Sequence, residues 1–429
     1  MKKIAGFVLS IAVLASCHNA DKKIVDPSFI DSLISHYSPS TAMVTNDSDI
    51  SFWKRRMDAL PDNFVNGPEY ASALTTEFRL HGNICDLHKA DSLFKRSNEA
   101  NQEKEAGIFR TLASLATMQH QFQEADSFLR RAVKIEGNSV PNAFLDFDVS
   151  FELGRYTRAK NLLVSLQPGH SYGYLFRRSK LEHHYGSLDT AIACMLQAAK
   201  RAGNNNYLKQ AALSNAGDLY IHNGRLKEAC KLYTESIQTD ASDFHSIMGL
   251  GWIALVHDKN DSLAEKIFQF VGMHTNTPDI LLRLEQVAEA TGDRAMQMRY
   301  ADRFSKLVSD SGYGNMYNKY LIDLYTGILH QPERAVALAE KEMTVRSTPQ
   351  VMAWYCWSLF CDHKPELAYQ TYKQFVSGKP LEGLELYYMG KLMQGLQKQY
   401  NAQQFFEASY KNRYDLSPSK QKDLDEILD

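Results

Sequence analysis

The sequence predicts an all-α fold built from stacked helix pairs, and three observations predict it. Small residues recur at a near-constant interval: Ala90, Ala125, Ala159, Ala191, Ala229 and Ala264 follow one another at 35, 34, 32, 38 and 35 residues. Internal turns recur between them, each a Gly, a polar residue and then an apolar one: Gly154-Arg155-Tyr156, Gly186-Ser187-Leu188 and Gly224-Arg225-Leu226. Segments also echo one another directly, as Lys89-Ala90-Asp91-Ser92-Leu93-Phe94 and Glu124-Ala125-Asp126-Ser127-Phe128-Leu129. A helix pair of this length cannot bury its apolar face alone, so each unit must stack on the next.

The stretch Leu213 to Ala241 shows the unit most fully. Gly217 sits where the first helix must approach its partner, and Tyr220 follows on the same face. Asn223-Gly224 ends that helix, because Gly accepts the left-handed conformation at a helix C-terminus. Ala229, Tyr233 and Ser236 continue the inner face of the second helix at i+4 and i+7. Ala229 is expected to face Gly217 across the pair. This pattern resembles the tetratricopeptide repeat (TPR), with Ala241 where the family closes its unit with Pro. The resemblance implies a right-handed α-α superhelix, a TPR solenoid whose concave face is lined by first helices.

The ruler continues through Ala335, Ala368 and Ala402. One degenerate unit lies between Ala264 and Ala335, around Leu281 to Leu307, with Gly292-Asp293 at its turn and Phe304 on its second helix. Gly217 and Gly251, 34 residues apart, mark tight crossings. Trp354 and Trp357 open a ninth unit that is short at its turn, and Leu386, Met389, Gly390 and Met393 open the last. Roughly ten helix pairs result, over 51–416. Ser417-Pro418 reads as an N-cap followed by a first-turn Pro. The polar helix behind it, 417–429, is expected to cap the array, since a terminal repeat needs a polar outer face.

The N-terminus carries a different signal. Lys2 and Lys3 precede an apolar run, Ile4 to Ala15, that is short for a bilayer span. It ends in Leu14-Ala15-Ser16-Cys17, which resembles the lipobox of bacterial lipoproteins. The resemblance implies cleavage after residue 16, lipid on Cys17, and a palmitate-bearing N-terminus. With His18 rather than Asp next, it also implies retention in the outer membrane. Residues 1–16 are then a signal peptide and 17–50, broken by Pro27 and Pro39, a tether between lipid and array.

Composition excludes little else. The chain has 429 residues and a net charge of -2, with no electrostatic footprint for nucleic acid. Cys85, Cys194, Cys230, Cys356 and Cys361 are odd in number and irregular in spacing, so they form no disulfide framework. Gly169-His170-Ser171-Tyr172-Gly173 matches G-x-S-x-G, but a nucleophile elbow needs a strand before it, and a helix–helix linker explains it instead. Asp258 to Ser262 resembles a calcium loop yet lacks its Gly and distal Glu. His183 and His184 diverge by about 100° on a helix and do not suit one metal. We therefore expect no catalytic residues, no metal and no cofactor.

The candidate binding surface is the concave groove. Register places Phe144, Asp148 and Phe151 there, then Phe176, Lys180 and His183, then Ser214, Asp218 and Ile221, and Trp252 beyond. The family resemblance implies a protein or peptide partner in the cell envelope, although the Lys/Asn pairs of chaperone-binding members are missing. The alternative is a glycan-capturing surface lipoprotein, since helical starch-utilisation proteins also contain TPR pairs. That alternative calls for an insertion bearing exposed Trp.

Overall fold

A computed structural model of the chain describes residues 23–60, 65–166, 169–310 and 312–429. Cys17 and residues 1–16, expected as a signal peptide, lie outside the described residues, as does Pro168. The described chain is an all-α superhelix with no strand. Two helices, α1 (Pro27–Ser35) and α2 (Thr41–Ala59), precede the array. Ten antiparallel pairs follow. The first three are α3 and α4 (Asn66–His81, Ile84–Ala100), α5 and α6 (Ala106–Met118, Phe122–Glu136), and α7 and α8 (Val140–Glu152, Tyr156–Ser165). The next three are α9 and α10 (Tyr172–His184, Leu188–Arg201), α11 and α12 (Asn206–His222, Leu226–Thr239), and α13 and α14 (Phe244–Val256, Asp261–His274). The degenerate seventh unit is α15 and α16 (Asp279–Thr291, Arg294–Asp310). Then come α17 and α18 (Asn318–Thr326, Pro332–Val345), α19 and α20 (Pro349–Cys361, Pro365–Thr371), and α21 and α22 (Gly383–Gly395, Gln399–Tyr410). Helix α20 is short because it passes into a π-helical turn at Tyr372–Val376. Helix α23 (Pro418–Leu428) closes the chain.

The internal turns share one device. In every unit a residue with positive φ reverses the chain. It is Gly in five units, at Gly82, Gly154, Gly186, Gly224 and Gly292, and a side chain in the other five, at His120, Lys259, His330, His363 and Gln397. A glycine pattern alone therefore marks only half of the turns, and the remaining five accept a left-handed residue at a cost of about 1 kcal/mol each.

Packing within a unit follows the small residues, with one change from the expected contact. The atoms nearest a Cβ at Gly217 belong to Tyr233 rather than to Ala229. A Cβ at Gly217 would lie 2.4 Å from the Tyr233 ring, and one at Gly249 would lie 2.6 Å from the other edge of that ring. Tyr233 is thus clasped between the first helices of two successive units, and Ala229, fully buried, sits one turn behind it. Gly251 leaves the same kind of space for Phe268, and Gly390 for Phe406.

The array does not stay open. Its buried residues form two cores, and one joins Tyr70 to Val149 of the first units with Leu282 to Leu424 of the last. The turns of the early units rest on the loops of the late ones. Asn276 donates to the His81 carbonyl at 2.6 Å, Gln123 to the Val345 carbonyl at 2.7 Å, and Gly154 lies against Thr348. The superhelix therefore winds tightly enough for its early turns to meet its late loops, and its concave side becomes a short, partly open interior rather than a long groove.

Both ends are fastened to the body. Residues 23–45, expected as tether, pack on the outside of units five and six. Both Asp258 carboxylate oxygens accept from the N–H groups of Ile24 and Val25 at 2.9 Å. Tyr37 meets Phe270 edge to face and His274 at a tilt, and Lys266 pairs with Asp31 at 2.7 Å. The acidic loop at Asp258 is thus a clamp for the chain's own N-terminal segment, which explains its likeness to a calcium loop. The repeat pattern placed to begin at residue 51 begins instead with α3, since 51 falls inside α2. At the other end, the Ser417 hydroxyl does not cap its own helix. It donates to Glu289 of α15 at 3.2 Å, so α23 seals the last unit against the seventh.

Among the described residues no helix is long and apolar enough to cross a membrane, and no group of His, Cys, Asp or Glu is arranged to hold a metal ion. Ser171 is the N-cap of α9, accepting from the Tyr174 N–H, and among the described residues no strand precedes it. The pairs run without an inserted domain. None of the four Trp residues is exposed, so the platform required by the glycan alternative is missing.

Candidate functional site

First helices line the interior, because the Gly and Ala positions draw second helices outward around Tyr and Phe rings. Three connected chambers of 390, 280 and 270 Å³ lie there. Asp218 and His222 belong to two of them, Lys319 and Glu382 to two, and Lys180 and His183 to two. A wider groove of 1110 Å³ runs on the outside between α6, α7 and α8. Its Arg158 is already bound to Asp146, and the groove gathers no aromatic beyond Tyr156.

The wall of units three and four is a ladder of paired charges and half-buried rings. Arg177 binds Asp148 at 2.5 Å and covers the Phe144 ring at 4.5 Å. Lys180 binds Glu152 at 2.5 Å and covers Phe151 at 4.6 Å. Arg346, just past the end of α18, reaches Glu152 from across the interior at 3.1 Å. Burial alone would raise the Glu152 carboxyl, but Lys180 and Arg346 together hold it below its ordinary value. Asp148 goes the other way: burial outweighs Arg177 and raises it. Phe144, Phe151 and Phe176 are each only partly buried. His183 stacks on His222 with centroids 4.8 Å apart, while His184 turns away to stack on Tyr156.

The wall of units five to eight forms the main chamber. Asp218 accepts from the Tyr233 hydroxyl at 2.7 Å and from His245 Nε2 at 2.9 Å. The Asp218 charge lifts His245 to about 9. His222 pairs with Asp415 of the C-terminal segment at 2.7 Å; burial would lower the imidazole, but Asp415 overrides it and the value rises to about 9. Lys319 lies between Glu385 and Glu382, at 3.4 and 3.8 Å. Burial disfavours the Lys319 ammonium, yet these two carboxylates raise its pKa. Lys420 binds Asp323 at 2.9 Å. Trp252 is buried, donates from Nε1 to the Tyr414 carbonyl at 2.8 Å, and carries the Arg283 guanidinium on its face at 4.4 Å. Tyr320 and His245 stand exposed at the mouth.

Of the ten groove residues placed by register, Phe144, Asp148 and Ser214 line none of the three chambers. Phe144 and Asp148 are instead held by Arg177. Ser214 does not reach the interior. It is buried, with its hydroxyl on the Ala211 carbonyl at 3.2 Å. The inward stripe of α11 is instead Asn215, Asp218, Leu219 and His222, the i, i+3, i+4, i+7 set, and Ser214 stands one residue off it. Ile221 and Trp252 line the main chamber but are themselves buried. Sequence reasoning missed Arg283, Lys319, Glu382, Asp415 and Lys420. The first was within reach: steps of 34 residues lead from Asn215 to Gly249 to Arg283. The others arrive only because the superhelix closes.

No protein-family model matches the chain, and no curated protein matches it. Among solved structures it is similar to a tetratricopeptide repeat protein from Parabacteroides merdae, at 15% identity over 67% of this chain and 98% of that one, TM-score 0.37. It is similar to Pseudomonas aeruginosa pilF at 12% identity over 50% of this chain and 97% of that one, TM-score 0.37. It is also similar to the human IFIT1 dimer with PPP-AAAA, at 12% identity over 76% and 77%, TM-score 0.46. Such scores bear nothing on function, and the repeat architecture rests on the helix pairing described above.

Proposed function

We propose that this protein is a non-enzymatic scaffold of a bacterial envelope, held on the outer membrane by lipid at Cys17, that docks a partner protein in its interior. The single observation behind the docking surface is the inner wall itself. Partly buried Phe151 and Phe176 line chambers ringed by charge, and Tyr320 stands exposed at the entrance. Aromatic anchors beside a few fixed charges are what a protein-binding surface combines. The anchor rests on the order Lys2-Lys3, apolar run, Leu14-Ala15-Ser16-Cys17.

Two measurements test the two halves. A photo-crosslinking residue at Tyr320 should capture a discrete partner in the native envelope, and one at Met273, exposed on the outside, should not. Equal capture from both positions would reject the interior. Cys17→Ser should lose partitioning into detergent, and unchanged partitioning would reject the anchor.

A further inference from the structure

The N-terminal segment decides where the chain leaves the body. Asp258 stands on the internal turn of unit six with its side chain buried. Its two carboxylate oxygens are met by consecutive backbone N–H groups, Ile24 on Oδ1 and Val25 on Oδ2, both at 2.9 Å. A buried carboxylate is costly without such partners. The Cys230 thiol donates to the Ile24 carbonyl at 3.7 Å, and Val25 and Ile30 are buried against the body. From there α1 crosses the outside of unit six. The Tyr37 hydroxyl and the Ser40 N–H meet the Ser242 hydroxyl at 3.2 and 3.0 Å. Ser242 precedes α13 and Asp258 follows it, so the two lie at opposite ends of that helix. The segment therefore enters at the edge formed by the internal turns and finishes at the edge formed by the loops between units.

This placement fixes the reach of an anchor at Cys17. Six residues, 18–23, separate Cys17 from Ile24. An extended chain covers at most ~3.6 Å per residue, so Cys17 lies within about 25 Å of the Asp258 turn. Were residues 24–40 free, the chain would leave the body at α2 instead, with on the order of 60 Å more reach. The latch thus shortens the tether and moves its origin from unit one to unit six. The charges of this edge are mixed, Lys227, Lys259 and Arg294 against Glu228, Asp261 and Asp293. Reach, and not charge, is what can orient it.

We propose that the internal-turn edge of units five and six is a membrane-facing surface. The segment latched at Asp258 holds this edge against the phospholipid headgroups and leaves the edge of inter-unit loops pointing away. This rests on the reading of Cys17 as the lipidated residue. It adds an orientation that a long tether would not give, and the partner it names is a lipid surface.

The test uses the lipidated full chain on phosphatidylcholine vesicles with spin-labelled headgroups. A fluorescent amino acid is placed at Ser262 or at Met273, both exposed on α14, with Ser262 at the Asp258 end. At 1.5 Å per residue the two lie about 16 Å apart along the helix. Headgroup quenching should be several times stronger at Ser262 than at Met273. Val25→Asp combined with Ile30→Asp should bring both positions to equal, weaker quenching. Vesicle binding and the helical signal should be kept, because α1 lies outside the repeat pairs. Inserting about 15 Gly and Ser residues after Ala20 lengthens the tether without touching the latch and should have the same effect. If the double variant unfolds, the insertion decides by itself. Equal quenching in the parent chain, or stronger quenching at Met273, overturns the proposal. So does a bias that survives the longer tether, or one that appears only when phosphatidylglycerol is added, since charge would then orient the body. A parent chain that fails to bind vesicles removes the lipid reading and the proposal with it. A parent chain that binds without bias keeps the anchor and removes the orientation alone.

Discussion

The two stretches of inner wall, units three to four and units five to eight, are built from the same first helices and the same residue types, yet they are organised differently. In the first, each cation sits on a ring and on a carboxylate at once: Arg177 on Phe144 and Asp148, Lys180 on Phe151 and Glu152. The charges are consumed and the rings are only partly buried. In the second, the inner rings are consumed, and Tyr320 stands open at the mouth. Tyr233 is clasped between Gly217 and Gly249, Trp252 is buried, and Arg283 is bonded to the neutral Gln286. The same composition thus yields an apolar shelf in one place and a charged pocket in the other. The difference comes from where glycine lets a ring pass between helices.

The strongest test of that difference is steric. Ala229 lies behind the clasped Tyr233 with no free space, so Ala229→Trp should lower stability by about 3 kcal/mol or more. Lys231→Trp, two residues on and exposed, should stay within about 0.5 kcal/mol. Chemical denaturation of both reads the result; equal midpoints would break the register on which both walls depend.

The next concerns closure of the chamber by the C-terminal segment. His222 is raised to about 9 by Asp415, above its ordinary value near 6.5. A group raised on folding stabilises fully below its unfolded value and loses that stabilisation as pH rises through the folded one. Stability should therefore fall between about pH 6.5 and 9, by roughly 1–3 kcal/mol. Glu285, which burial and then Glu289 raise to about 8, adds to the same decline from its ordinary value upward. His222→Asn should flatten the upper part of the curve and Glu285→Gln the lower part. A melting temperature that rises over this range would contradict both.

Smaller effects separate shelf from pocket. Asp148 is spent on Arg177, so Asp148→Asn should cost about 1 kcal/mol of stability and leave partner capture within about twofold. Phe176 is partly buried and spent on nothing charged. Phe176→Ala should weaken capture by about threefold, worth about 0.7 kcal/mol, with melting little changed. A reversal of these two outcomes, with capture lost at Asp148 and kept at Phe176, would mean that the shelf reads charge and that the contrast between the walls is mistaken.

The fold was legible where the physics is local. The alanine ruler gave the number of units because close helix approach forbids a larger side chain at one place per unit. The degenerate unit at 281–307 follows from the double-length gap between Ala264 and Ala335, with its turn and Phe304 marking its place. Five turns were marked by Gly; the others, such as Lys259 and Gln397, were not, because a left-handed residue need not be glycine. The inner stripe was legible to within one residue, and the error at Ser214 is the 100° that one helical position costs.

The sequence by itself determined the helix pairs, their number, their small-residue crossings and which helices face inward, since each depends on residues within about 40 positions of one another. Only the tertiary structure decided that the array closes, that residues 23–45 clamp onto Asp258, and that Asp415, Lys420 and Arg346 enter the interior. Those contacts join residues up to 235 positions apart, and they are set by the small rotation between successive units accumulated over the whole array. No single unit encodes that sum, and the fate of each charge on the inner wall, paired or open, follows from it.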